Sequence, residues 1–325
     1  MSYSFLKESK LYIVYGGNKY RIYTSTAISF NQTFAEDSYS VKTLHDQSKM
    51  LDNVTITKAN PASFSFDVPL TIEKNESIVL NLATDLVAKT GNPESSVSTR
   101  HDATETGISI QQLKRFDMYV QTGSNTFKVE NCVVTSANFD FQAESQFTLR
   151  LEGQGTKVSR VGNQSYTIPG SAISESTTRT PLLVYPVVTI DSLDMSSIIS
   201  VTLQLQNDIS FTNYENLHDS LSVTSSSNAQ FPNDYTVNKR ILSGEIRQYT
   251  TNNNNTQFDD FSTNSNLTIK AVQVGKAANA TPFFQIALNP VKYTARLSPE
   301  EVYTQSYDYM SLDNTAVGTS ITQYS

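Results

Sequence analysis

The amino-acid sequence predicts a mainly β protein made of two tandem modules, and three observations lead there. Val, Ile, Tyr and Phe dominate the apolar positions in a background of Ser, Thr and Asn, with only 17% charged residues. That composition favours strands and loops over long helices. Several runs alternate apolar and polar residues with period two. Short motifs of the first half also recur, in the same order, in the second.

The recurrence is specific enough to be checked by its offsets. Leu44-His45-Asp46 returns as Leu217-His218-Asp219, 173 residues on. Phe64-Ser65-Phe66-Asp67-Val68 is matched with Leu242-Ser243-Gly244-Glu245-Ile246, an offset of 178. The segment from Asn131 to Phe139 is echoed from Asn289 to Leu297, an offset of 158. The first copy therefore carries extra residues between its second and third motifs. The polar stretch from Lys89 to Asp102, with Gly91 and Pro93, supplies them as a long loop. A chain of 325 residues is long enough for two domains, each with a core of its own. The Gly, Ser, Thr and Pro169-Gly170 between Gly153 and Thr180 mark the connection. The domains are expected at 1–165 and 181–325, with 166–180 as linker.

Taken in order, Leu11–Tyr15 and Tyr20–Tyr23 read as strands around Gly16-Gly17. Over 63–73, Phe64, Phe66, Val68, Leu70 and Ile72 point one way while Ser65, Asp67, Thr71 and Glu73 point the other, a half-buried strand. Pro69 puts that strand at an edge, a start or a bulge. The spacing of apolar residues from Ile78 to Val87 predicts a short amphipathic helix. Thr126–Val134, Ala137–Leu151, Val187–Ile190, Ile198–Leu205, Phe283–Leu288 and Val291–Leu297 are further strands, and Asn252–Asn255 a turn. The tail from Asp313 is expected to extend over a neighbour or stay mobile.

Net charge is −7 and the isoelectric point about 5.1, which disfavours a protein that grips nucleic acid by its phosphates. Cys132 is the only cysteine and sits in a Val-rich strand pattern, where a small buried hydrophobe is expected. The first ten residues do not read as a signal peptide, and no run is long enough for a membrane span. Synthesis in a reducing cytoplasm is the expectation.

Little in the chain points to catalysis. His45-Asp46 and His218-Asp219 are sequence neighbours, which rarely point together, and with His101 they complete no metal set. No nucleophile elbow, P-loop or dinucleotide fingerprint is present. No catalytic residue, cofactor or metal is assigned.

The residues do carry a resemblance. Asp191 to Leu203, the segment Arg240-Ile241-Leu242-Ser243-Gly244-Glu245-Ile246 within Tyr235–Tyr249, and Asn289-Pro290-Val291 followed by Tyr307-Asp308-Tyr309 resemble the opening strand, the basic-Ser-Gly strand and the closing hairpin of phage tail tube proteins of the duplicated-domain kind. The first half departs from it, with Phe66 where the second has Gly244 and with a longer loop. The resemblance implies two β-sandwich or half-barrel domains, each with a flanking helix and a loop reaching the next ring. It implies a virion tail component that self-assembles into rings, trimers with pseudo-sixfold symmetry, stacked into a tube. Tape-measure, baseplate and terminator proteins would be its partners, and double-stranded DNA would pass without specific binding. Loops at 31–62 and 207–240 are expected to carry contacts between rings or subunits. Asp67 and Glu245 are read as equivalent wet-face carboxylates facing the channel, with Ser65 and Ser243 beside them; ordinary solvent-facing carboxylates are the other reading. Another tail, baseplate or terminator component stays open, as does a carbohydrate-binding β protein, although the lack of Trp counts against the latter.

Overall fold

The structure is a computed structural model. It describes residues 8–39, 53–73, 75–84, 95–98, 113–142, 145–174, 177–190, 193–212, 231–232, 234–251, 265–299, 301–311 and 320–323. Both Leu-His-Asp triplets, His101 and Asn252–Asn255 lie outside the described residues.

The fold is mainly β. Lys10–Tyr15 (β1) and Asn18–Ile22 (β2) form the expected hairpin, and Gly16 and Gly17 at its tip take φ of 58° and 79°, the left-handed conformations a two-residue turn requires. Ser29–Asn31 (β3) and Phe34–Tyr39 (β4) lead to Asn53–Ala59 (β5) and Ala62–Pro69 (β6). One helix follows, Ser77–Thr84 (α1), then Ser95–Ser98 (β7), Phe116–Gln121 (β8), Asn125–Gln142 (β9), Thr148–Gly155 (β10), Lys157–Asn163 (β11) and Ser171–Ala172 (β12). The second half contains Val184–Ile190 (β13), Leu193–Asp194 (β14), Ile198–Thr212 (β15), Asp234–Tyr249 (β16), Ser265–Gln273 (β17), Phe284–Ser298 (β18), Thr304–Ser311 (β19) and Ser320–Gln323 (β20).

Two long strands organise the pairing. The N-terminal half of β9 lies between β8 and β11, and its C-terminal half pairs with β10. The N-terminal half of β18 lies between β17 and β20, and its C-terminal half pairs with β19. The rest of the scheme recurs with them. β10 pairs β6 and β6 pairs β3; β19 pairs β16 and β16 pairs β15. β1 pairs β2 and β8; β13 pairs β14 and β17. All of these contacts are antiparallel.

The registers tie the sequence motifs to this scheme. With the Asn131 and Asn289 motifs superimposed, Ala137 corresponds to Ala295. Their cross-strand partners are Leu151 and Tyr307, whose next partners are Phe66 and Ile246. One residue back, Ser65 faces Ser29 and Glu245 faces Thr202. Ser29 and Thr202 are 173 residues apart, the same offset as the two Leu-His-Asp triplets. Two motifs far apart in sequence thus agree through four hydrogen-bonded strands.

The halves do not have separate cores. β9 and β15 pair antiparallel, Gln142 with Ser200 through Ser136 with Gln206, so one sheet runs through both. A single apolar cluster contains Phe66, Leu151 and Phe139 of the first half with Leu203, Ile246 and Phe284 of the second. The rings of Phe139 and Phe284 stack at 5.4 Å. Burying faces of both halves against each other removes more apolar surface from water than two half-sized cores could.

Several expectations are corrected. The 63–73 run is strand only to Pro69; beyond it Leu70 and Thr71 are both buried and Ile72 is 36% exposed, so the alternation breaks where proline removes a ladder donor. The two strands expected across 126–151 divide after Gln142 instead of at Thr135, and 283–297 is one strand. The expected loops at 31–62 and 207–240 hold hairpin arms, β4 with β5 and β15 with β16. In the linker, β12 runs parallel to β2. Arg179 bonds the buried carboxylate of Glu76 at 2.7 Å and lies 3.6 Å above the Tyr23 ring. Within the tail, β20 pairs with β18 and β7.

Candidate functional site

The site is a broad polar face. β3, β6, β10, the C-terminal half of β9, β15, β16, β19 and the C-terminal half of β18 are consecutive neighbours, eight strands in one antiparallel ladder. One side of it is the core, with Phe66, Leu151, Ala137, Leu205, Leu242 and Tyr307 buried. Because successive side chains alternate between faces, the residues between these form the other side.

Rows of that wet face can be followed across both halves. One runs Asp67, Arg150, Asn138, Gln204, Ser243. A second runs Ser65, Glu152, Ser136, Gln206, and a third Asp140, Thr202, Glu245, Asp308. The four residues singled out from sequence, Asp67, Glu245, Ser65 and Ser243, therefore share one face of one sheet, and each is half-buried.

Asp67 and Glu245 are not equivalent positions, however. The ladder makes Glu245 the counterpart of Ser65 and Arg247 the counterpart of Asp67. The sequence match was two residues out of register, which preserves the face because the pleat has period two. The counterpart of Gly244 is accordingly Phe64. Each glycine lies opposite an aromatic ring. A Cβ on Gly153 would come 2.7 Å from Phe64 Cε1, and one on Gly244 would come 2.7 Å from Tyr309 Cζ. The first half places the ring on β6 and the glycine on β10; the second places the glycine on β16 and the ring on β19.

Among the described side chains, the face carries carboxylates at Asp67, Asp140, Glu152, Asp208, Glu245 and Asp308, against arginines at 150, 247 and 296. Arg150 pairs with Glu152 at 3.2 Å and Arg296 with Asp308. Asp67 accepts a hydrogen bond from Thr26 Oγ1 at 3.1 Å. Among the described side chains of this face, carboxylates outnumber arginines six to three. Sequence reasoning missed Asp140, Glu152 and Asp308. The alternation of Ala137, Phe139 and Phe141, of Leu149 and Leu151, and of Tyr307 and Tyr309 was the signal that places them.

No group of three or more His, Cys, Asp or Glu side chains able to hold a metal ion occurs among the described residues. Cys132 is fully buried, and burial pushes its thiol well above the ordinary range, which disfavours the reactive thiolate. No helix among the described residues is long and apolar enough to cross a membrane.

The described strands thus form an antiparallel sheet with one buried and one polar face, the architecture of a mainly β protein. The sequence has no match among curated proteins. Over residues 1–321 it matches the model of the bacteriophage baseplate tube protein family. The chain belongs to that family, and is thereby a structural component of the phage virion's tail or baseplate. The match does not single out the duplicated tail-tube class that the sequence resembles.

Proposed function

We propose that the chain assembles into rings that stack into a tube, the channel through which phage DNA passes on ejection. The observation that carries this reading is the eight-stranded ladder with a single polar face, in a chain of the baseplate tube family. A closed barrel of such ladders would turn one face to a lumen and leave no edge exposed.

Strand arithmetic favours three copies. Strands about 4.8 Å apart and tilted by up to about 40° give 24 strands a backbone diameter of roughly 37–48 Å, and 16 strands roughly 25–32 Å. Side chains on both walls take about 10 Å, so three copies admit a DNA duplex about 20 Å wide while two barely do. Each chain would contribute two modules, 1–165 and 181–325, joined by 166–180, giving a trimer with pseudo-sixfold symmetry. The hairpin arms within 31–62 and 207–240 would reach adjacent rings. Tape-measure, baseplate and terminator proteins would be the partners at the ends, and the protein would be made in the host cytoplasm. Asp67, Ser65, Ser243 and Glu245 would face the DNA.

Electron microscopy of the purified protein, with symmetry analysis, tests this. Threefold rings stacked into open-ended tubes are expected. Six chains per ring would overturn the trimer, isolated single rings would overturn polymerisation, and monomers at high concentration would overturn the tube reading altogether.

A further inference from the structure

We infer that the C-terminal half of β18 of one copy pairs antiparallel with β3 of the next, in the register that β9 and β15 use inside a single chain. This deepens the tube reading by naming its lateral contact, and it rests on that reading.

The internal pairing is the template. The C-terminal half of β9 is held on both edges, by β10 on one and β15 on the other. Its counterpart in β18 has β19 on one edge, and among the described residues no strand on the other from Thr294 to Ser298. β15 is likewise held on both edges, by β16 and β9, whereas among the described residues β3 pairs only with β6. Each end of the eight-stranded ladder thus presents the half of a contact that the middle of the ladder completes.

Burial follows the same logic. At the internal contact Phe139 faces Leu203, and both are 1% exposed. Their counterparts are Leu297, 51% exposed, and Phe30, half-buried. Val302 and Tyr303, beside Leu297 in the following turn, are also more than half exposed. A bare strand edge flanked by apolar side chains is an aggregation hazard unless a partner covers it. Among the described residues, the surface with matching register and matching face is the opposite end of the same chain. Carrying the template over pairs Phe30 with Leu297 toward the core, and Asn31 with Arg296 and Ser29 with Ser298 on the polar face. The contact is head-to-tail, so repeating it closes a ring when the rotation per copy divides a full turn.

Cysteines placed at Asn31→Cys and Arg296→Cys in one chain test the register, since directly opposed Cβ atoms lie about 5 Å apart. A short bismaleimide should then link chains into a ladder ending at the closed ring on denaturing gels. Asn31→Cys with Ala295→Cys, one residue out and on the other face, should link far less. Native Cys132 is fully buried and should not compete. Tubes or rings that form but do not link would overturn the seam while leaving the tube reading intact; wild type that never assembles would overturn both. As a second arm, Leu297→Lys should leave the folded monomer's melting temperature unchanged and reduce assembly at least tenfold. Normal assembly of a folded Leu297→Lys protein would overturn the seam.

Discussion

Gly153 and Gly244 show how two residues can keep one piece of geometry by exchanging sides. In each half a ring lies across a strand pair, and the strand beneath it has no side chain to displace it. The core needs the ring's volume at that place in both halves, but not on a fixed strand, because cross-strand partners fill the same space. This explains why the direct comparison of Phe66 with Gly244 misled. The correct comparison is of pairs, Phe64 with Gly153 against Gly244 with Tyr309. A methyl at position 244 would meet the Thr202 backbone carbonyl first and then Tyr309, whose hydroxyl donates to that same carbonyl at 2.7 Å. Gly244→Ala should therefore destabilise the protein by about 1–3 kcal/mol, the usual penalty of overpacking. Denaturant unfolding measures it, and adding Tyr309→Leu to Gly244→Ala should not restore stability, because the contact with the Thr202 backbone carbonyl remains.

At the scale of elements, what the sequence made legible is what local periodicity controls. The Gly16-Gly17 hairpin, the helix at 77–84 and the alternating strands around Phe64 and Phe139 follow from turn chemistry and patterning alone. Strand ends were less legible. A polar Thr-Ser at 135–136 looks like a turn, yet β9 runs through it, because β10 and β15 satisfy its backbone from either side. The candidate face was legible in part. Alternation assigned Ser65, Asp67, Ser243 and Glu245 to wet faces, but only long-range pairing could show that these faces are one. The register shift between β8 and β9, from Cys132 to Val129, is set locally. Asn131 has φ of 48°, its backbone N–H donates to Asp117 Oδ1 at 3.0 Å, and Asn is among the few residues that enter this region readily. Asn131→Val should cost about 1–2 kcal/mol, while Asn131→Gly should be nearly neutral. Thermal unfolding of the two variants separates backbone strain from loss of the side chain.

For the whole molecule, the proposed channel turns on the sign of the charge along one face. A duplex carries about one negative charge per 1.7 Å of its axis, so a basic lining would bind it and hold it by counterion release. The face instead mixes six described carboxylates with three arginines, two of which pair with carboxylates of the same face. Such a surface has no strong net attraction to phosphate, yet its charges are spread enough to limit repulsion among copies. Asp67 and Glu245 lie on different rows and in different halves, so replacing both alters each module once. Asp67→Lys with Glu245→Lys should leave assembly intact, because neither side chain enters the core or the proposed seam. The change of four charge units per chain should make DNA adhere inside the tube and slow its passage. The effect should be strongest at low salt and fade above about 0.15 M, where the screening length falls to about 8 Å. DNA release from particles carrying the double variant, timed across ionic strengths, measures this. Release at the wild-type rate in low salt would place these carboxylates away from the channel.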